Sequence, residues 1–427
     1  MAATKKAGPK AAKKAGKRTT TRTTKRSPQP RVAARATRAK PGGGTTAIVV
    51  AGAGARGAYE AGILSVLVPR LLEEPGQKIV LVGTSAGAIN TAILSAFAEP
   101  DKAVDSMIDL WTTVDVGDVF SSLRESAPAT AMRFLADVLH LPGRLNSMLD
   151  SRPLGSTMDE RLDWDQLDRN LRGSGWVHTA GVVATSCASG RGVVFVQGNG
   201  LVTPKRDADV DYAKTMLRSS HVMASAAIPV AFRPVHIDAP TRHQGWYIDG
   251  GVKLNAPIKP ALSLGADRVV VVATTPDPSG PHAKPIASGE PDVFDASAVL
   301  MHALLEDRMG DDIRALRRVN ELVSAARGRS QRGYRVVPNL YLGPPKTGLI
   351  GQTANDVYAS RYTGIRRPLS DLGLLGRMLG GTHESHGDLL SFVFFDREFH
   401  KALLELGRKH ATRTLGPKGS PFPWAMR

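Results

Sequence analysis

One serine of the chain lies in a glycine-flanked motif that is typical of a nucleophile. Residues 83–87 read Gly-Thr-Ser-Ala-Gly and follow directly on the apolar run 78–82. At a sharp turn from a strand into a helix, small neighbours let the serine hydroxyl project from the backbone. The motif therefore predicts a nucleophile at Ser85, although a glycine-rich turn in which Ser85 only caps the next helix would look the same. The residues that would form this turn are Gly83, Thr84, Ala86 and Gly87.

A nucleophilic serine needs a base that accepts its proton. Asp249 is a candidate, because it follows the strand-like run 246–248 and precedes Gly250 and Gly251, which let the backbone approach a ligand. An ordinary Asp-Gly β-turn would give the same residues, so a base and a turn remain equal interpretations of this motif. Five histidines could serve by residue type, but their neighbours show no catalytic pattern and we expect them in the core or on the surface: His178, His221, His236, His383 and His386.

A second glycine-rich turn joins the apolar run 45–51 to a helical pattern at 58–72. It matches the G-x-G-x-x-G fingerprint of dinucleotide-binding proteins, which hold a pyrophosphate at the N-terminus of a helix. That fingerprint also requires an acidic residue at the end of the next strand, where this chain has Gly-Thr-Ser. The sequence thus disfavours a nicotinamide or flavin site, but it leaves a loop whose N–H groups suit a negative charge. The loop residues are Gly52, Ala53, Gly54, Ala55, Arg56 and Gly57.

Two successive strand-turn-helix units must position these residues. Their order between residues 45 and 97 predicts parallel strands with helices packed on the faces of the sheet, which is an α/β fold. A Pro- and Gly-rich stretch at 276–291 indicates a long loop. Further strands are predicted at 179–185, 192–197, 268–273 and 335–341, and further helices at 296–326 and 388–410.

The charge of the chain is concentrated at one end. Residues 1–44 contain fourteen Lys and Arg and no acidic residue, whereas the other 383 residues contain 42 Lys and Arg against 39 Asp and Glu. A segment with so few apolar side chains cannot form a core, so we expect a disordered basic tail. Such a tail attracts polyanions, either an anionic membrane surface or nucleic acid, although a solubilising tail or an organelle transit peptide has a similar composition.

Other features of the composition exclude several classes of protein. A single cysteine, Cys187, rules out an intramolecular disulfide framework and a cysteine-cluster metal site. The sequence has no apolar run of the roughly 18 residues that a transmembrane helix needs, and no apolar segment after Lys5 and Lys6 that would predict a secretory signal. We therefore expect a cytoplasmic protein, with peripheral binding to a membrane as an open alternative.

In order along the chain, the 52–57 loop, the 83–87 turn and the Asp249-Gly250-Gly251 block resemble the bacterial branch of the patatin-like phospholipase family. The resemblance extends to residues 224–234, which contain Ala-Ser-x-x-Ile-Pro, to Asn255 and Pro257, and to the C-terminal stretch 389–407. It implies a three-layer α/β/α sandwich with a mostly parallel sheet. The implied organisation is a tail at 1–44, a catalytic core at 45–275, a loop at 276–292 and a helical part of the same domain at 293–427.

The resemblance also implies an activity, namely hydrolysis of lipid acyl esters of the phospholipase A or lysophospholipase type without metal or cofactor. Ser85 matches the nucleophile, Asp249 the proton acceptor and the 52–57 loop the oxyanion hole. Ala53 departs from the three successive glycines that family members often have, and its methyl group is tolerable only if φ there is negative. We expect Asp249 to have an ordinary pKa near ~3.9. The alternative function is a membrane- or nucleic-acid-binding protein with an inactive hydrolase fold.

Overall fold

The computed structural model describes residues 44–121, 150–199, 208–229, 231–280, 307–326, 334–362, 371–373 and 384–426. The basic tail up to residue 43 and most of the 276–292 loop lie outside the described residues, as do His383 and the side chain of His386. The apolar stretch 132–149, which suggests a wall or lid over the serine or ordinary core, also lies outside them.

A single mixed sheet forms the centre of the described part, with the strand order β5-β4-β3-β2-β1-β8-β9. Strand β1 is parallel to β2 and β8, and β2 is parallel to β3, so the two strands that precede the glycine-rich loop and the Ser85 turn run in one direction. β3 pairs antiparallel with β4 and with β7. The strands are β1 Thr45–Val50, β2 Lys78–Thr84, β3 Val177–Ser186, β4 Gly192–Gly198, β5 Val210–Lys214, β6 Val235–Ile237, β7 Gly245–Asp249, β8 Arg268–Val272 and β9 Asn339–Leu342.

Helices cover both faces of this sheet. The longer ones are α1 Gly57–Leu72, α2 Ala86–Ala96, α3 Pro100–Thr113, α5 Arg152–Arg161, α10 Asp307–Ala325, α11 Leu349–Tyr362, α12 Glu384–Val393 and α13 Arg397–Leu415. The shorter ones are α4 Val116–Val119, α6 Trp164–Arg169, α7 Ser219–Ser225, α8 Gly251–Leu254 and α9 Ile258–Ser263.

Side chains alternate between the two faces of the central strands, and each face has its own buried core. In β1, Ile48 and Val50 pack with α1, α2, α3 and α13, whereas Ala47 and Val49 pack with α9 and α10. This period of two is what a strand buried on both faces requires. The predicted three-layer α/β/α fold with a mostly parallel sheet is confirmed.

The structure differs from the sequence prediction at several elements. The helix predicted at 388–410 is two helices, because Asp396 accepts hydrogen bonds from the N–H groups of Glu398 and Phe399 and so caps a new helix. The last strand is shorter than predicted and begins at Asn339, and the short strands β5 and β6 were not predicted. Within the described ranges, no helix combines the length and apolarity that crossing a membrane requires.

Candidate active site

Ser85 lies at the turn between β2 and α2, in a backbone conformation that few non-glycine residues adopt. Its φ of 53° and ψ of −123° make it the one non-glycine residue with positive φ in the described part of the chain. A Cβ on Gly83 would lie 2.1 Å from the carbonyl oxygen of Gly87, and a Cβ on Gly87 would lie 2.3 Å from that of Val50. The turn therefore requires glycine at both flanking positions, and it holds Ser85 in a strained conformation of the kind found at functional sites.

Asp249 is the last residue of β7 and is almost completely buried. Its Oδ1 accepts a 2.7 Å hydrogen bond from the Gly251 N–H, while Oδ2 has no hydrogen-bond partner among the described residues. Burial raises the pKa of this carboxyl to about 7, and the Gly251 N–H and the Ser85 hydroxyl only partly oppose that rise. The ordinary pKa expected from the sequence is therefore wrong.

The structure brings Ser85 and Asp249 together. The Ser85 hydroxyl lies close enough to the Asp249 carboxylate to lower its pKa, although no hydrogen bond of ordinary geometry joins the two groups in the described structure. The turn after Asp249 also touches the turn before Ser85, because a Cβ on Gly250 would lie 3.0 Å from the Thr84 methyl group. Such contacts are often long without substrate and shorten when it binds.

The glycine-rich loop lies beside Ser85, since a Cβ on Gly52 would lie 3.2 Å from the Ser85 Cβ. Its N–H groups are not equivalent. The Gly52 N–H donates to Asn255 Oδ1 at 2.9 Å, and the Arg56 N–H donates to the Ala53 carbonyl at 3.1 Å. By contrast, no described residue accepts a hydrogen bond from the N–H groups of Ala53 or Gly54. These two donors are thus available to a ligand, whereas those of Gly52 and Arg56 are already engaged.

Backbone angles explain which loop positions need glycine. Ala53 has a φ of −146°, so its methyl group costs no backbone strain and the departure from glycine is tolerated. Gly54 has a φ of 55°, and a Cβ there would lie 2.4 Å from the carbonyl oxygen of Phe392. Glycine is therefore required at Gly54 and not at Ala53.

The Arg56 side chain attaches the loop to helix α12. Its Nε donates to Ser391 Oγ at 2.7 Å, and Nη2 donates to the Asp388 carbonyl at 2.8 Å. The guanidinium also stacks on the Phe392 ring, 3.7 Å from its centroid. A buried arginine with these partners supports the conformation of the loop.

Two further polar residues contact the site and have no role in the sequence interpretation. Ser225 Oγ accepts the Ser85 N–H at 2.9 Å, and the Asn255 amide binds both the N–H and the carbonyl of Gly52. Both residues occur in the blocks that resemble the family, at 224–234 and after Asp249. The signal that could have found them is a polar side chain among small residues in each block.

The described histidines are not placed as bases. His221 is buried, its Nδ1 accepts the Arg218 N–H, and burial lowers its pKa to about 4, so it is a neutral core residue. His236 pairs with Asp238 on the surface and packs against Trp246. Within the described structure neither of them hydrogen-bonds to Ser85 or Asp249.

Comparison with protein families agrees with the motifs. The family model for patatin-like phospholipase matches residues 48–262, half of the chain. Among solved structures, VipD from Legionella pneumophila aligns with 13% identity and a TM-score of 0.34, over 87% of this chain and 67% of that one. The type III effector ExoU aligns with 15% identity and a TM-score of 0.25, over 82% and 74% of the two chains. Human GIVD cytosolic phospholipase A2 aligns with 12% identity and a TM-score of 0.30, over 86% and 60%. No curated protein matches the sequence.

Proposed function

The chain belongs to the patatin-like phospholipase family, and we propose that it hydrolyses lipid acyl esters with a Ser85–Asp249 dyad. The observation that carries the proposal is the arrangement of a serine, a carboxylate and backbone N–H groups. A strained serine lies next to a buried carboxylate with a free oxygen, and the glycine-rich loop, which passes Ser85 at Gly52, has N–H groups at Ala53 and Gly54 without an acceptor among the described residues. These are the three parts that ester hydrolysis by a serine needs: a nucleophile, a base and an oxyanion site.

Acylation would begin when the Ser85 Oγ attacks the ester carbonyl carbon while its proton moves to the free Oδ2 of Asp249. The carbonyl oxygen becomes an oxyanion, which the N–H groups of Ala53 and Gly54 would bind. One such donor is typically worth about 3 kcal/mol of transition-state stabilisation. When the tetrahedral species collapses, the carbon–oxygen bond to the alcohol breaks, and Asp249 returns the proton to the departing oxygen. The products of this half are a free alcohol and an acylated Ser85.

Deacylation would repeat the same steps with water. Asp249 accepts a proton from water while the water oxygen attacks the acyl carbon. Asp249 then gives that proton to the Ser85 Oγ as the fatty acid leaves. A pKa of about 7 suits both roles, because the carboxyl is a stronger base than an ordinary aspartate and still partly ionised at neutral pH. A two-residue relay suits esters and thioesters better than amides, whose leaving group is more basic.

The test uses a p-nitrophenyl ester and a fluorophosphonate probe on the wild type, Ser85→Ala and Asp249→Asn. Wild type should hydrolyse the ester and label, Ser85→Ala should do neither, and Asp249→Asn should lose most of both. Asp238→Asn is the matched control, because that carboxylate is exposed on the surface and pairs with His236. Hydrolysis and labelling of Ser85→Ala at the wild-type rate would overturn the proposal, as would an equal loss in Asp238→Asn.

A second activity is favoured by the charge of the N-terminal segment. Fourteen Lys and Arg residues in a stretch without acidic residues would bind an anionic bilayer, which would keep the enzyme near its lipid substrate. We propose peripheral membrane binding through residues 1–44, with nucleic-acid binding as the competing outcome. The test is co-sedimentation of the full chain with anionic and with neutral vesicles, in parallel with retention on duplex DNA.

A further inference from the structure

We propose that Ser225 is a positioning residue that holds the Ser85 turn in its reactive conformation, an inference that rests on the function proposed above. Ser225 is the last residue of α7, and none of its surface is exposed. Its hydroxyl accepts the Ser85 N–H at 2.9 Å and donates its own proton to the Val183 carbonyl at 2.5 Å. The side chain therefore has one partner on the nucleophile and one on the neighbouring strand β3.

The Ser85 turn needs such a partner because its conformation is strained. A φ of 53° and a ψ of −123° are unfavourable for a residue with a Cβ, and strain of this kind persists only when the surroundings fix it. Without the Ser225 hydroxyl, the Ser85 N–H would be a buried donor that lacks this acceptor. The turn could then relax by rotating this peptide group, and the Ser85 Oγ would move with it.

The backbone around Ser225 also binds the turn that carries the base. The Gly250 N–H donates to the Ser225 carbonyl at 3.2 Å, and the Asp249 N–H donates to the Ala227 carbonyl at 2.8 Å. One short segment thus contacts Ser85 through a side chain and Asp249 through the backbone. A substitution of the Ser225 side chain leaves the backbone contacts possible, so it separates them from the hydroxyl's contacts with Ser85 and the Val183 carbonyl.

Ser225→Ala and Ser225→Cys test this role. Alanine removes the hydroxyl, and cysteine fills its volume with a much weaker hydrogen-bonding group. Ser95→Ala is the matched control, because Ser95 is a buried serine on α2 whose hydroxyl bonds to the Thr91 carbonyl on the same helix. For each folded variant, the measurements are kcat and KM for the p-nitrophenyl ester, the fluorophosphonate labelling rate, and the pH dependence of both rates.

We expect both Ser225 variants to lose about 10- to 100-fold in kcat and in labelling rate, with KM nearly unchanged, because a small displacement of a reacting atom has effects of that size. The pH midpoint should not fall, because Asp249 stays buried and loses only the Ser85 hydroxyl contact, which lowers its pKa in the wild type. Ser95→Ala should keep the wild-type rates. A general loosening of the fold would instead admit water and move the midpoint towards that of an ordinary aspartate.

Wild-type rates in Ser225→Ala or Ser225→Cys would overturn the inference, and so would an equal loss in Ser95→Ala or a pH midpoint lowered towards that of an ordinary aspartate. These results are distinct from a failure of the proposed function, in which Ser85→Ala would stay active. A wild-type protein that neither hydrolyses the ester nor labels would overturn the proposed function, and the role of Ser225 with it.

Discussion

The Gly251 N–H donates a 2.7 Å hydrogen bond to Oδ1 of Asp249, which leaves Oδ2 of the same carboxylate without a partner among the described residues. The bond fixes the orientation of the carboxylate, and the free oxygen is the one that could accept a proton. Burial dominates the electrostatics, because it raises the pKa to about 7 despite this bond. We therefore expect this residue to contribute to the pH dependence of both activity and stability.

The rate of ester hydrolysis should rise with pH and level off above neutrality. In the proposed mechanism only the ionised form of Asp249 accepts the Ser85 proton, so the rate should follow the ionised fraction of a group whose pKa is about 7. We expect kcat/KM to be about tenfold lower at pH 6 than on the plateau. The measurement is a pH–rate profile with a p-nitrophenyl ester, corrected for the titration of the released phenol. A profile that is already flat from pH 5 upwards would contradict the raised pKa.

Asp249→Asn should stabilise the protein at neutral pH while it removes activity. The pKa of Asp249 is higher in the folded state than in the unfolded chain, so its ionisation favours unfolding. The resulting decrease in the free energy of unfolding is absent below about pH 4 and grows by about 1.4 kcal/mol per pH unit until about pH 7. The free energy of unfolding of the variant should therefore exceed that of the wild type by a few kcal/mol at pH 8 and match it at pH 4.

Denaturant unfolding at a series of pH values measures this difference. Asp238→Asn is the control, because that exposed carboxylate lacks the burial that raises the pKa of Asp249. A difference between Asp249→Asn and wild type that does not change with pH would show that the effect comes from packing and not from ionisation.

Two neighbouring positions in the glycine-rich loop should differ in their tolerance of a methyl group, which should disrupt activity at position 54 and have little effect at position 53. Gly54→Ala introduces a Cβ at a φ of 55° and at 2.4 Å from the Phe392 carbonyl oxygen, so the loop must move and the oxyanion donors with it. We expect a loss of at least about 100-fold in kcat. Ala53→Gly should keep nearly the wild-type rate, because Ala53 already has a negative φ.

Gly190→Ala is the control for this experiment, because it introduces backbone strain without a steric clash. Gly190 has a φ of 64°, but a Cβ there meets no atom within 4 Å and the turn lies between β3 and β4. It should lower the free energy of unfolding by about 1 kcal/mol without changing kcat. If Gly54→Ala retained full activity, the loop would not be an oxyanion site.

The order of the motifs made much of this site predictable from the sequence. Ser85 and Asp249 each follow an apolar run and precede small residues, because a turn at the end of a buried strand needs both, and this local pattern is visible without a structure. Resemblance to a family then supplied the pairing between them. The sheet and its helical layers followed from the alternation of strand and helix patterns.

The contacts that support the site were not predictable in the same way. The hydrogen bonds between Ser85 and Ser225 and between Gly52 and Asn255 join residues that are distant in sequence, and no sequence periodicity predicts them. The raised pKa of Asp249 depends on burial by the whole fold, so the residue type alone suggested an ordinary value. The short strands β5 and β6 escaped prediction because their pattern is too brief to distinguish from a loop.

Arg56→Lys should reduce activity through the loop that this side chain attaches to α12. Lysine cannot keep the stacking on Phe392 together with the hydrogen bonds to Ser391 and Asp388, so the loop would lose its attachment to α12. We expect kcat to fall by about tenfold and the free energy of unfolding by about 1–3 kcal/mol. Helix α12 lies outside the part that the family model matches, so the loss would connect the C-terminal region to catalysis.

Arg70→Lys is the matched control for this substitution. Arg70 is also buried and bonds to the Pro417 and Ser420 carbonyls, but it lies far along α1 from the glycine-rich loop. It should cost stability without lowering kcat in the folded protein. Equal effects of the two substitutions on kcat would argue against a specific role for the Arg56 contact.

Removal of residues 1–43 should abolish binding to anionic vesicles and leave hydrolysis of a water-soluble ester unchanged. The chain enters the sheet at Thr45, the first residue of β1, whereas the glycine-rich loop follows the other end of that strand, so the deletion leaves the described site intact. In the proposed membrane role the cations of this segment act by attraction to lipid head groups, so salt should weaken the binding of the full chain. A full chain that binds anionic vesicles no better than the truncated one would contradict the membrane role, and tight retention on DNA alone would assign the tail to nucleic acid.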